Sequence, residues 1–173
     1  NFGARPNPGR MLQLQDEASH RGEPWGRAMQ RLLQEDKTNF YDKIVLMHTS
    51  PYGNVPASNV GLSEQDWVQK SSLLRIEHEM THYATNRMLG SFCLNIHDEL
   101  LADFMGFTKS LGFFSSDLFF SAMGINDNEI PHGCRFRNYV QELDESEKYE
   151  VLALASSAAN NLEKLSNLLP VNF

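Results

Sequence analysis

Apolar residues recur at helical spacing through most of the chain, and one stretch breaks that rhythm in favour of a strand. Trp25, Met29, Leu32 and Leu33 fall at helical intervals after Pro24, which predicts a short helix to about Glu35. Lys43 to Thr49 (KIVLMHT) is a compact, β-branched and apolar run closed by Ser50-Pro51-Tyr52-Gly53, the pattern of a strand ended by a turn. Residues 50–62 read as loop. Ser63 with Asp66 resembles a capping arrangement for a helix running to about Leu89, and Gly90 is its stop signal. Leu73, Ile76, Met80, Tyr83 and Ala84 share one side of that helix, an apolar back expected to pack on the core. Asn95 stands as the N-cap of a second helix, from about Ile96 to Leu111.

Further along, Phe113, Phe114, Leu118, Phe119, Phe120 and Met123 predict one short helix buried against the two before it. A sharper reading makes some of these aromatics the wall of a substrate pocket. Residues 124–137 read as loop. A closing helix is expected from about Glu145 to Leu169, with Val151, Leu154, Ala155, Ala158, Leu162, Leu165 and Leu169 as its inner stripe. At the other end, Pro6, Pro8, Gly9 and Gly22 stand among polar residues, so 1–22 read as an irregular N-terminal arm and 23–173 as one domain. A chain of 173 residues is long enough to bury a core of its own. No internal repeat or low-complexity segment interrupts it.

The chemistry lies on the side of the long helix opposite the apolar back. Residues 78–82 read His-Glu-Met-Thr-His. Two histidines four apart on a helix differ by about 40° around the axis, so both imidazoles project from one face. Glu79 lies on the flank of that face, able to reach a metal-activated water without being a ligand. A catalytic zinc ion needs a third protein ligand and an open fourth position. Glu99, in Glu99-Leu-Leu-Ala-Asp103, is the candidate ligand, with Asp98 or Asp103 next in line. Asp103, one turn further on, is placed to take the free N–H of His78 and fix its tautomer. HExxH with a downstream ExxxD is far more specific than either half, because lone helical histidines and carboxylates are usually surface residues.

These residues resemble a known family. His78-Glu-Met-Thr-His-Tyr-Ala-Thr-Asn86 is similar to the active-site helix of thermolysin-like metallopeptidases, the gluzincin branch of the zincins. Glu99-Leu-Leu-Ala-Asp-Phe-Met-Gly106 is similar to their glutamate-ligand helix, although the gap from His82 to Glu99 is somewhat shorter than in the family's namesake. The resemblance covers roughly residues 74–107. It implies a zincin-like α+β domain, mostly helical, with a small sheet containing 43–49 that forms the upper rim of the cleft. It also implies a zinc metallopeptidase. His78, His82 and Glu99 would be the ligands, Glu79 the general base and Asp103 the carboxylate behind them, acting on a peptide or protein substrate. The family places an oxyanion-stabilising donor after the ligand helix, where His132, Arg135, Arg137 and Tyr139 all stand; His132, in a Gly/Pro-flanked loop, is the first choice.

Composition narrows the alternatives. A net charge of −7, a pI near 5.3 and the lack of a Lys/Arg cluster argue against nucleic acid as a partner. No apolar run approaches the roughly 18 residues of a membrane span. Cys93 and Cys134 are too few for a disulfide framework and read as two free thiols more readily than as one bridge. The chain starts at Asn1, as a fragment or processed form would, so the missing signal segment says nothing of compartment. Three other readings stay open: a zincin-fold metal-binding or regulatory module without peptidase activity, a non-peptidase hydrolase on the same scaffold, and a di-iron carboxylate protein. The last would need Glu129-Ile-Pro-His132 as a second ExxH helix, which Pro131 disfavours.

Overall fold

The capping residues act where the sequence puts them. In the computed structural model, which describes residues 2–35, 41–90 and 95–168, the fold is mostly helical with one two-stranded sheet. The chain divides into two compact units, Asn1–Leu46 and Met47–Phe173.

In the first unit, strand β1 (Phe2–Pro6) pairs antiparallel with β2 (Tyr41–Val45), with Phe2 opposite Val45 and Pro6 opposite Tyr41. Helices α1 (Pro8–Arg21) and α2 (Trp25–Glu35) lie between the strands in sequence. The expected irregular arm is therefore a strand and a helix. Pro8 acts as a helix starter, tolerated in the first turn where no N–H is needed, and Asn7 caps that turn by accepting from Arg10 N at 2.8 Å. Behind this cap Met11, Leu14 and Ala18 continue at helical spacing, and Leu14 and Ala18 are buried with Ala28 and Leu32 of α2. Pro6 sits at the end of a strand, where a missing donor costs little. The second strand starts two residues earlier than expected and stops at Val45, before the Met47–Thr49 part of the apolar run.

The second unit holds α3 (Glu64–Leu89), α4 (Ile96–Leu111), α5 (Ser116–Met123) and α6 (Glu145–Ser166), with 3-10 turns at Tyr52–Asn54 and Ala57–Val60 before α3 and at Arg135–Tyr139 between α5 and α6. Ser63 accepts from Asp66 N to start α3, and Gly90 ends it in the left-handed conformation. Asn95 accepts from the backbone of His97 and Asp98 to start α4. Trp67, Leu74, Phe107, Phe114, Phe119 and Phe136 make the centre of the core. Here α5 packs on α6 and on the turns at 52–54 and 135–139; Phe114 and Phe119 are buried, while Phe113 is largely exposed.

Two expected faces are rotated. On α3 the inward stripe is Trp67, Ser71, Leu74, His78 and His82, and the apolar back of Leu73, Ile76 and Met80 is 37, 40 and 47 % exposed. A helix can turn one stripe inward, and the stripe anchored by fully buried Trp67 and Leu74 carries the histidines in with it. On α6 the buried line is Lys148, Leu152, Ala155, Ala159 and Ser166, leaving Leu154 and Leu165 exposed. Polar contacts set that rotation: Ser166 Oγ accepts from Phe114 N at 2.8 Å, and Glu163 accepts from Ser116 Oγ at 2.6 Å. Leu169 and Cys93 lie outside the described residues. Cys134 is a half-buried free thiol.

Candidate metal centre

Close approach of two helices builds the site. Residue pairs 74/106, 78/103 and 82/98 face one another, so α3 and α4 run antiparallel. Gly106 permits this: a Cβ there would stand 2.9 Å from Leu74 O and 3.0 Å from Leu74 Cδ2. One turn along each helix from this contact, His78 Nδ1 lies 2.6 Å from Asp103 Oδ1, and a further turn on His82 Nδ1 lies 2.7 Å from Asp98 Oδ2. Thr85 Oγ1 donates to the other oxygen of Asp98 at 3.1 Å. An ionised carboxylate only accepts, so each ring carries a proton on Nδ1 and turns its Nε2 inward.

The two Nε2 atoms are 2.9 Å apart. Glu99 completes the cluster, with Oε1 3.3 Å from His82 Nε2 and Oε2 3.5 Å from His78 Nε2. All three side chains are buried, Glu99 to 3 % exposure. A tetrahedral ion about 2.0–2.1 Å from each donor needs donors about 3.3 Å apart, so these three residues are close enough together to hold a metal ion. Glu79 is half-buried beside His78 on α3.

The turn at 52–54 supplies a residue the sequence did not single out. Tyr52 is buried, and its hydroxyl donates to Asp103 Oδ1 and lies 3.1 Å from His78 Nδ1. Its backbone N–H donates to Ser71 Oγ at 2.9 Å, while Trp67 Nε1 donates to Val55 O at 2.7 Å, pinning the turn to α3. Gly53 is obligatory there: φ is 57°, and a Cβ would meet Ala122 Cβ at 2.5 Å. The second oxygen of fully buried Asp103, Oδ2, has no hydrogen-bond partner among the described residues.

From the other side comes Arg135, with Nη2 2.5 Å from Glu99 Oε2, Nη1 3.2 Å from Tyr52 Oη and Nε 3.4 Å from Tyr139 Oη. Burial works to raise the Glu99 carboxyl, yet the hydrogen bond with His82 and the charges of Arg135, His78 and His82 outweigh it and hold the group down at about 2. Burial pushes the Tyr139 hydroxyl up to about 12 against the pull of Arg135. Burial, then the charge of Asp103, pushes Tyr52 well above its ordinary range. For His82 burial disfavours the charged form, but Glu99 and Asp98 together raise its pKa.

Of the four donors considered after the ligand helix, Arg135 and Tyr139 reach Glu99. Arg137 instead pairs with Glu145 and donates to the carbonyls of Ile130 and Pro131. His132, the first choice, is exposed in a turn, and no hydrogen bond or ion pair joins it to the cluster among the described residues. Its loop is steered by fully buried Phe136, which delivers the next turn, and Arg135 with it, to the site. Glu129 forms an isolated bridge with Asn126, so Glu129 and His132 do not stand on a helix as a di-iron site would need.

A family model described as a family of unknown function (DUF7005) matches residues 6–170. The chain belongs to this family. The DUF7005 match spans both compact units and every residue of the candidate centre. No curated protein and no solved structure matches the chain.

Proposed function

We propose that this chain is a zinc-dependent metallopeptidase with a zincin-like arrangement of its helices. The observation that carries the reading is the pair of Nε2 atoms held 2.9 Å apart beside a buried carboxylate, each ring oriented by its own aspartate. In this reading both rings are neutral with the proton on Nδ1, so their Nε2 lone pairs repel at that distance and a cation between them and Glu99 relieves the repulsion. In this reading His78, His82 and Glu99 hold zinc, which supplies Lewis-acid polarisation of a carbonyl and lowers the pKa of water. Glu79 takes the proton from the attacking water and returns it to the leaving amine. Asp98 and Asp103 fix the two rings, and Arg135 and Tyr139, beside Glu99, are the candidate donors to a developing oxyanion. A peptide or protein is the substrate class, and no described helix is long and apolar enough to cross a membrane.

The test joins metal analysis to cleavage of a broad peptide library. Protein prepared without chelators is expected to hold about one zinc per chain. Glu79→Gln is expected to keep metal and fold and to lose hydrolysis by at least about 10²-fold. Trace zinc with no uptake on titration would sink the proposal. Stoichiometric zinc with no cleavage by wild type would favour a metal-binding module on the same scaffold.

A further inference from the structure

A buried carboxylate needs a cation, and Glu99 already has one. Arg135 reaches Glu99 Oε2 at 2.5 Å, and among the described residues it is the only Lys or Arg ion-paired to that carboxylate. This is a built contact. Arg135 begins a 3-10 turn anchored by fully buried Phe136. Gly124 lets the preceding residue approach so closely that a Cβ there would stand 3.0 Å from Cys134 Cβ. The guanidinium also lies over the Tyr52 ring, 5.7 Å from its centroid, and donates to the Tyr52 and Tyr139 hydroxyls.

We infer that Arg135 is the resident counter-ion of Glu99, a positioning residue that competes with the metal for this carboxylate and so sets how tightly the centre holds zinc. The inference rests on the metal-site reading above. In metal-free protein Arg135 offsets the desolvation of Glu99, whose exposure is 3 %. In loaded protein two cations share one carboxylate at close range, and their mutual repulsion opposes metal binding. Removing the guanidinium therefore harms the metal-free state more than the loaded one. A residue that merely propped the site open would act in the opposite sense, because its loss would weaken zinc.

The experiment measures zinc affinity by competition with a chromophoric chelator, alongside melting with and without zinc, for wild type, Arg135→Gln and Arg135→Lys. Arg135→Gln is expected to bind zinc about tenfold or more tightly than wild type while its metal-free form melts lower. Arg135→Lys keeps the charge and is expected to fall back toward wild-type affinity. If metal-free Arg135→Gln does not stay folded, it is prepared zinc-loaded and stripped; more chelator than wild type requires supports the inference. Affinity unchanged or weaker in Arg135→Gln overturns it, with the metal site itself still standing. If wild type takes up no zinc, the metal reading fails and the competition falls with it.

Discussion

Each histidine of the centre owes its orientation to a separate carboxylate, and the two carboxylates differ. Asp103 is fully buried and holds both His78 and the Tyr52 hydroxyl on one oxygen. Asp98 keeps a slightly exposed side chain and divides its oxygens between His82 and Thr85. A carboxylate behind a metal-binding imidazole fixes the tautomer and makes the ring a better donor. Asp103→Ala and Asp98→Ala are each expected to weaken zinc by roughly 10–100-fold without abolishing the site, placing both between wild type and His78→Ala in a chelator titration. Affinity left unchanged by either substitution would mark that aspartate as an ordinary helix residue. Asp103 was legible from the sequence because it stands one turn after Glu99 on a helix whose start Asn95 announces. The pairing of Asp98 with His82 has a fainter signal, a carboxylate immediately before the ligand position. Tyr52 had none, and Arg135 was only one of four candidates after the ligand helix: they come from turns 26 and 36 residues away from the side chains they meet, and turns carry no period.

At the level of elements, periodicity located the described helices after residue 22, missed Pro8–Arg21, and misjudged which way two of them face. The caps at Ser63 and Asn95 and the stop at Gly90 are local chemistry, decided within four residues, and they fall where the sequence puts them. Facing is decided by partners elsewhere in the chain. The α3 stripe from Trp67 to His82 mixes two strong apolar anchors with polar residues, so a count of apolar positions favours the opposite side, which is exposed. The choice of His132 faced a related difficulty, since flanking Gly and Pro mark a loop without saying which residue the loop delivers. The helix pair also depends on one small residue. A methyl group at Gly106 would press on the Leu74 carbonyl one turn before His78, and backbone cannot yield as a side-chain tip can. Gly106→Ala is expected to cost about 1–3 kcal/mol of stability and to weaken zinc as the helices part. A calorimetric melt and the same chelator titration check it. Lost stability with undiminished zinc affinity would show that the centre tolerates a wider helix spacing.

For the whole molecule, the division of labour follows the two compact units. The Asn1–Leu46 unit contains both strands and a small core of its own built on Leu14, Ala18, Ala28 and Leu32. Every side chain of the candidate centre, from Tyr52 through His78, Glu79, His82, Asp98, Glu99 and Asp103 to Arg135 and Tyr139, belongs to Met47–Phe173. The larger core cluster likewise draws its buried members from residues 52 to 159. A unit that holds its own apolar core and all the hydrogen bonds that orient its ligands has what it needs to preorganise them. The fragment 47–173 is therefore expected to fold cooperatively and to bind zinc within about threefold of the full chain, a difference well under 1.4 kcal/mol. Circular dichroism melts and chelator competition on the fragment and the full chain side by side decide it. A fragment that folds yet binds zinc tenfold more weakly would mean that residues before Met47 contribute to the centre. One that fails to fold would mean that its stability is not its own.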